Sequence, residues 1–284
     1  GVGCRERAAA TMPVPGAEAI VTALRATEKP TDAKSPYHAF SRCPPTALFG
    51  ALNAALLFML LQLLVARGHS DRSVRDNLWW TAMFAVGSVV FFSSVRGEVW
   101  FTALVIGVTL NLLFMLAALD LRHPLLAGLF LGLGMATRTP IAFCFVFFGW
   151  QLFLPRGRWE PDRWPEILRK GTLFSLPILA CGGLLIAYNM TRFGLPFEFG
   201  HGFLGGGAGD RIRDHGLFNT WYLGANIDAL LLNLPEFSTE VPLVRISKHG
   251  VGLLFGIPCL LLLARPVMKR SLAPALWATV VCAA

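Results

Sequence analysis

An arginine interrupts two apolar runs in the stretch GLGMATRTPIAF, residues 132–143. Residues 124–136 precede Arg138 and residues 140–154 follow it, and neither run contains a charged residue. A guanidinium keeps its charge at membrane depth, and its planar fork binds phosphate oxygens in pairs. Arg138 is therefore either the cation of a binding cavity or a side chain that reaches out to lipid headgroups.

Two further segments place charged side chains at the ends of apolar runs. The turn SSVRGEVWF contains Arg96 and Glu98, although a solvated turn explains this pair equally well. The segment NMTRFGLPFEFG contains Arg192 and Glu198. Carboxylates can accept a proton as general bases, whereas arginines can stabilise an anion that leaves.

Metal and cofactor chemistry is not predicted. The six cysteines form no CxxC or Cys/His pattern. His201 and His215 could bind a metal together with Asp210 or Asp214, but this is not the favoured interpretation. The net charge of +8 is spread over short loops rather than collected in one patch, so nucleic acid is not an expected partner.

The elements that must position these residues are apolar helices. The chain has 284 residues, of which 55% are hydrophobic and only 15% charged, with a mean hydropathy of +0.57. Soluble domains usually carry about 25% charged residues, so the composition indicates an integral membrane protein. Uncharged runs occupy residues 46–66, 78–95, 99–119, 171–191 and 250–264. Most approach the roughly 20 residues of a transmembrane helix, and alternation with a period of two is absent, so the predicted fold class is all-α.

The distribution of Lys and Arg predicts the topology. Loops at 67–77, 120–123, 155–170 and 265–271 hold twelve of these residues in 38 positions, whereas 96–98, 137–139 and 192–249 hold seven in 64. By the positive-inside rule, the first set faces the cytoplasm. Residues 1–45 and 192–249 are then external, residues 46–191 form transmembrane helices, and residues 250–284 form further helices, the last of them truncated.

This topology requires residues 124–154 to form two short legs that turn at residues 137–139. A single helix there would place the five basic residues of 155–170 on the external side. Pro140 favours the turn, because proline disfavours helix at the preceding residue and suits the first position of a new helix. Legs of this length reach only about 20 Å, so the turn is expected to lie below the external surface, in a protein-lined or watery cavity.

The external loop and the ends of the chain lead to two more expectations. Residues 217–237 are apolar but interrupted by polar residues, and Trp221 and Tyr222 are placed like interface anchors, so this segment is predicted to lie along the membrane surface. The sequence has no signal peptide at its start, and its last apolar run is too short to span a bilayer. We therefore expect a fragment of a larger protein.

Three segments, taken in order, resemble bacterial membrane glycosyltransferases of the GT-C type, the group that includes protein mannosyltransferases and aminoarabinose transferases. They are RSVRDNLWWTAMFAVGSVVFFSSVRGEVWFTA, LLAGLFLGLGMATRTPIAF and NMTRFGLPFEFG. The resemblance covers about residues 70–264. It implies a sugar donor carried on a polyprenyl phosphate, a lipid, polysaccharide or protein acceptor, and a site on the periplasmic side of the bacterial inner membrane.

The same resemblance implies an acidic residue in the first external loop, ahead of a Tyr and Pro-Pro stretch. Here Tyr37, Pro44 and Pro45 follow Asp32, but the helix that precedes this loop in the family is missing. Asp32 is thus a candidate catalytic acid or an exposed linker residue. Glu98 and Glu198 are the other candidate carboxylates, and the candidate phosphate ligands are Arg138, Arg96 and Arg192.

Two other classes of protein remain open. A lipid or solute transporter would also place charges at membrane depth, although the chain lacks the internal repeat that such folds often have. A non-catalytic membrane subunit or a degenerate fragment would need no charged cavity.

Overall fold

The computed structural model describes residues 44–96, 98–155, 160–203, 206–216, 219–237, 239, 243–245 and 250–256, with four positions between 272 and 279. These residues are mostly helical, as the sequence predicts. The α-helices are α1 (Pro44–Ala66), α2 (Val74–Val86), α3 (Val89–Arg96), α4 (Val99–Ala118), α5 (Pro124–Thr137), α6 (Phe145–Phe153), α7 (Trp164–Phe193), α8 (Gly206–His215), α9 (Leu223–Ile227) and α10 (Leu253–Gly256).

Shorter elements connect the helices. Turns of 3₁₀ helix occupy Leu119–Leu121, Thr139–Cys144, Pro161–Arg163, His201–Phe203 and Thr220–Tyr222, and a π-helical turn occupies Asp228–Leu232. An antiparallel pair joins β1 (Glu236–Phe237) to β2 (Val244–Arg245), with Glu236 opposite Arg245. The helical turns at 220–232 fall within the segment predicted to lie on the membrane surface, and that placement stays a prediction.

Among the described residues, three helices are long and apolar enough to cross a bilayer, namely Pro45–Ala66, Val99–Leu121 and Trp164–Phe193. They contain the runs predicted at 46–66, 99–119 and 171–191, and this supports a membrane protein. The run predicted at 250–264 is described only in part, and there it contains the short helix α10. The rest of that run lies outside the described residues.

The sequence predicts a single transmembrane helix for the run at 78–95. The structure has two helices there instead. Helices α2 and α3 meet at a bend of 50°. The hydroxyl of Ser88 donates to the carbonyl of Phe84 at 2.6 Å and accepts from the backbone N–H of Val90 at 3.2 Å. Gly87 adds backbone freedom next to it, and a serine that bonds backward in this way bends a helix.

Buried polar side chains fix how α1 lies against α4. The hydroxyls of Thr46 and Thr102 are 2.9 Å apart. The fully buried Asn53 donates to the carbonyl of Val105 at 3.0 Å and accepts from the hydroxyl of Thr109 at 2.6 Å. Since residue numbers rise together in these contacts, α1 and α4 run parallel. In an apolar bundle such bonds satisfy each polar group and hold the two helices in register.

Glycines allow α5 to lie directly on α7. A side chain at Gly128 would overlap the backbone carbonyl of Phe174, and one at Gly132 would come within 3.0 Å of the Cys181 side chain. Residue numbers again rise together, so α5 and α7 are also parallel. This close approach depends on residues without a Cβ atom.

The chain reverses its direction between α5 and α6. Near the end of α6, Gln151 accepts a hydrogen bond from the backbone N–H of Asp120 at 2.9 Å and donates to the carbonyl of Ala118 at 3.4 Å. These residues immediately precede α5, so α6 returns to the level at which α5 begins. We call the end of the helices with Asp120, Gln151 and Lys170 the Asp120 end. The opposite end, with Trp100 and Arg138, is the Arg138 end.

The backbone between α4 and α5 is unusual. Asp120 and Leu121 both have left-handed conformations, with φ of 57° and 54°. A residue with a Cβ atom adopts this conformation at a cost of roughly 1–2 kcal/mol. The side chain of Asp120 is held by His69 at 2.8 Å and by Arg67 at 3.5 Å, and its backbone is held by Gln151.

Candidate functional site

Arg138 lies in the break between α5 and the 3₁₀ turn that follows. Its backbone is extended, with φ of −150° and ψ of 116°, and α5 ends at Thr137, whose hydroxyl donates to the carbonyl of Gly134 at 2.7 Å. The next turn begins at Thr139, so Pro140 is its second residue and not its first, which was the position expected from the sequence. The helix therefore stops at the residue that carries the charge.

The turn after Arg138 is fixed by the side chain of Ile141. A Cβ atom on Gly107 of α4 would meet Ile141 at 3.0 Å, and one on Gly134 of α5 would meet it at 2.9 Å. Ile141 thus occupies a notch that two glycines leave open, and its backbone N–H donates to the carbonyl of Arg138 at 3.1 Å. Packing on two helices makes the position of Arg138 well defined.

Arg138 is half-buried as a residue, and its guanidinium has weak protein partners. It donates to the carbonyl of Trp100 at 3.5 Å and lies 6.0 Å from the centre of the Trp100 ring. Among the described residues, no carboxylate lies within ion-pair distance of Arg138. The charge is therefore available to an anion.

Arg96 differs from Arg138, because it already has an anionic partner. Its Nε lies 2.7 Å from Oε1 of Glu98, and its guanidinium lies 5.4 Å from the Phe92 ring centre. Both side chains are about half exposed. Glu98 precedes the first turn of α4, but its side chain makes no capping hydrogen bond. Among the described residues, its carboxylate is paired with Arg96.

The segment NMTRFGLPFEFG forms the C-terminal cap of α7. The buried Asn189 donates from Nδ2 to the carbonyl of Pro196 at 3.2 Å. Gly194 has a left-handed φ of 70°, and its N–H donates to the carbonyl of Met190 at 3.0 Å. The asparagine and the glycine thus fold the chain back over the helix end, as in common C-terminal caps.

Arg192 lies in this cap, where it contacts two aromatic side chains. Its Nη1 donates to the hydroxyl of Tyr188 at 3.0 Å, and its guanidinium lies 5.0 Å from the ring centre of Phe193. Arg192 is exposed, and Glu198 is half-buried four residues beyond Gly194. Because α5 and α7 are parallel, the end of α7 lies at the Arg138 end.

The structure brings some of the predicted site residues together and leaves others apart. Arg96 and Glu98 form an ion pair, and Arg138 lies beside Trp100, two residues after Glu98. Within the described part of the chain, no hydrogen bond or ion pair joins Arg138 to Arg96, Arg192, Glu98 or Glu198. Asp32 lies outside the described residues.

The aromatic partners of the arginines were not predicted from the sequence. Tyr188 precedes Arg192 by four residues in α7, and helical residues with this spacing face each other. That spacing is a signal in the sequence. Trp100, in contrast, comes from another helix than the break that carries Arg138, so its proximity depends on tertiary packing.

Within the described residues, no three His, Cys, Asp or Glu side chains are grouped as metal ligands. Comparisons with protein-family models, with curated proteins and with solved structures give no match to this chain.

Proposed function

We propose that this chain belongs to a membrane glycosyltransferase that moves a sugar from a polyprenyl-phosphate donor to an acceptor on the external side of a bacterial inner membrane. The observation that carries the proposal is Arg138, a half-buried cation in a helix break without a carboxylate partner among the described residues. Membrane lipids surround the helices, and the acceptor is a lipid, a polysaccharide or a protein.

When the sugar is transferred, the lipid phosphate leaves as an anion, and its negative charge must be stabilised. A fixed guanidinium provides this where water is excluded, because it needs no reorganisation during the reaction. Two observations support this role: Ile141 packs between Gly107 and Gly134 and so fixes the turn after Arg138, and no carboxylate among the described residues pairs with Arg138. Arg192 is the second phosphate ligand, since its partners are aromatic rings and a hydroxyl. Arg96 is the weakest of the three candidate phosphate ligands, because its guanidinium is already paired with Glu98.

The acceptor hydroxyl needs a carboxylate to take its proton. Glu98 is the first choice within the described residues, because it lies at the start of α4 next to Trp100. Its pair with Arg96 at 2.7 Å orients its carboxylate. Glu198 and Asp32 are the other candidates for this role.

Replacement of Arg138 tests the proposal directly. A charge-assisted hydrogen bond to phosphate contributes roughly 1.5 to 3 kcal/mol, so Arg138→Ala should weaken binding of a polyprenyl phosphate about tenfold to more than a hundredfold. Arg138→Lys should fall between wild type and alanine, since lysine keeps the charge but loses the fork. The measurement is equilibrium binding of radiolabelled polyprenyl phosphate to the purified chain in detergent, followed by the donor KM and kcat of sugar transfer.

Arg122→Ala is the matched control, because Arg122 is an exposed arginine at the Asp120 end. Equal donor binding by wild type and Arg138→Ala would remove the phosphate-binding role, since an arginine that only reaches for headgroups has no such function in detergent. Movement of the lipid across a bilayer with the bond between sugar and phosphate intact would instead identify a transporter.

A further inference from the structure

Trp100 provides an exposed aromatic surface beside the candidate phosphate ligand. It is the second residue of α4, and at 72% it is the most exposed tryptophan among the described residues. Its carbonyl accepts from the guanidinium of Arg138 at 3.5 Å, and its ring centre lies 6.0 Å from that guanidinium. The indole therefore borders any anion that Arg138 binds.

The aromatic side chains around Trp100 leave its ring uncovered. Trp221, another exposed tryptophan, is stacked by the ring of His215 at 4.2 Å, with an interplanar angle of 15°. Phe101, which follows Trp100 in the sequence, pairs instead with Phe92 at 5.5 Å. Within the described part of the chain, no aromatic ring stacks on Trp100. The exposed part of its ring is therefore open to a ligand.

A sugar ring suits an open indole that lies next to a bound phosphate. The C–H bonds on the face of a pyranose carry small positive charges, and they pack on the electron-rich face of an aromatic ring. In a polyprenyl-phosphate sugar, a single oxygen joins the phosphorus to the anomeric carbon. A phosphate held by Arg138 thus puts the sugar within reach of Trp100.

We propose that Trp100 recognises the donor sugar by stacking on its ring, and that this sugar is a pyranose. The inference rests on the proposed function, because the phosphate at Arg138 fixes where the sugar begins. Arg138 binds the phosphate that every polyprenyl phosphate carries, whereas Trp100 distinguishes the lipid with a sugar from the lipid without one. After transfer, the spent lipid keeps the phosphate contact and loses the contact with Trp100.

Equilibrium binding of two radiolabelled probes to the full chain in detergent tests this inference. The probes are undecaprenyl phosphate and undecaprenyl β-glucosyl phosphate. Trp100→Leu removes the aromatic face, so it should weaken binding of the glucosyl lipid about twofold to tenfold and leave binding of undecaprenyl phosphate unchanged. Trp100→Phe keeps a smaller face and should show a smaller loss, again confined to the glucosyl lipid. Trp100→Phe also provides the test if Trp100→Leu does not fold.

Two further variants separate this inference from the proposed function. Arg138→Ala should weaken binding of both probes, and binding of both at wild-type strength would remove the proposed function and this inference with it. Trp221→Leu is the matched control and should change neither probe, because His215 covers that ring. Equal weakening of both probes by Trp100→Leu would show that the indole only positions Arg138. That result, or unchanged binding of the glucosyl lipid, would overturn the inference while the role of Arg138 stands.

Discussion

Arg138 and Arg96 both lie at the Arg138 end, but their charges are used differently. Glu98 neutralises Arg96 at 2.7 Å, whereas Arg138 has a carbonyl and an aromatic ring as neighbours. A neutralised arginine positions its carboxylate. An arginine without an anionic partner can bind one from a ligand, and this difference assigns the two residues to different roles in the proposed transfer.

For single residues, Glu98→Gln distinguishes an effect on catalysis from an effect on protein stability. The pair with Arg96 is about half exposed, and exposed ion pairs contribute only about 0.2–1 kcal/mol, so the melting temperature should barely change. If Glu98 is the general base, kcat should fall by about a hundredfold or more. Glu160→Gln is the control, because Glu160 is about as exposed and approaches an arginine at the other end. An unchanged kcat in Glu98→Gln would leave Glu198 and Asp32 as the candidate bases.

At the scale of elements, the fold depends on the close approach of α5 and α7. Gly128→Ala should destabilise the protein by about 1–3 kcal/mol, because its methyl group would meet the backbone carbonyl of Phe174, which cannot rotate away. Gly183→Ala in α7 has open space around it and should be neutral or stabilising, since alanine is the better helix former. Unfolding in denaturant measures both. Equal stability of the two variants would show that the contact between α5 and α7 is looser than described.

The elements also show what the sequence can and cannot predict. The end of α5 at Thr137 follows from a charged residue and Pro140, which are local signals. The bend between α2 and α3 arises from Gly87 and Ser88, which also occur inside straight apolar helices, so it was missed. A cavity lined by His69, Asp120, Gln151 and Lys170 was missed as well, because it exists only where separate segments of the chain meet. Residues next to a helix terminus therefore predict where the helix ends, whereas cavities at the helix ends depend on tertiary packing.

At the scale of the whole molecule, the two ends of the helices differ in charge. Within the described residues, the Asp120 end carries Arg67, Arg72, Arg75, Arg122, Arg163, Arg169 and Lys170. The helix termini at the Arg138 end carry Arg96, Arg138 and Arg192. The topology was predicted from this same distribution, so the cytoplasmic orientation of the Asp120 end stays a prediction.

Single cysteines test that topology. Arg122→Cys and Leu195→Cys, in a chain whose six cysteines are replaced by alanine, place exposed thiols at the Asp120 end and just beyond the end of α7. In intact cells, an impermeant maleimide should label Leu195→Cys, and Arg122→Cys should react only after lysis. Labelling of both thiols in intact cells would mean that the helices do not separate the two ends across a membrane.

The contact between Asp120 and Gln151 has a consequence for biosynthesis. The left-handed backbone at Asp120 and Leu121 is supported by a side chain that lies 31 positions later in the chain. At roughly 5–20 residues per second, a ribosome needs about 2 to 6 seconds to reach Gln151 after it has made Asp120. During that interval Asp120 has only its side-chain contacts with Arg67 and His69, and its backbone hydrogen bond forms after α6 has been made and has returned to the same end.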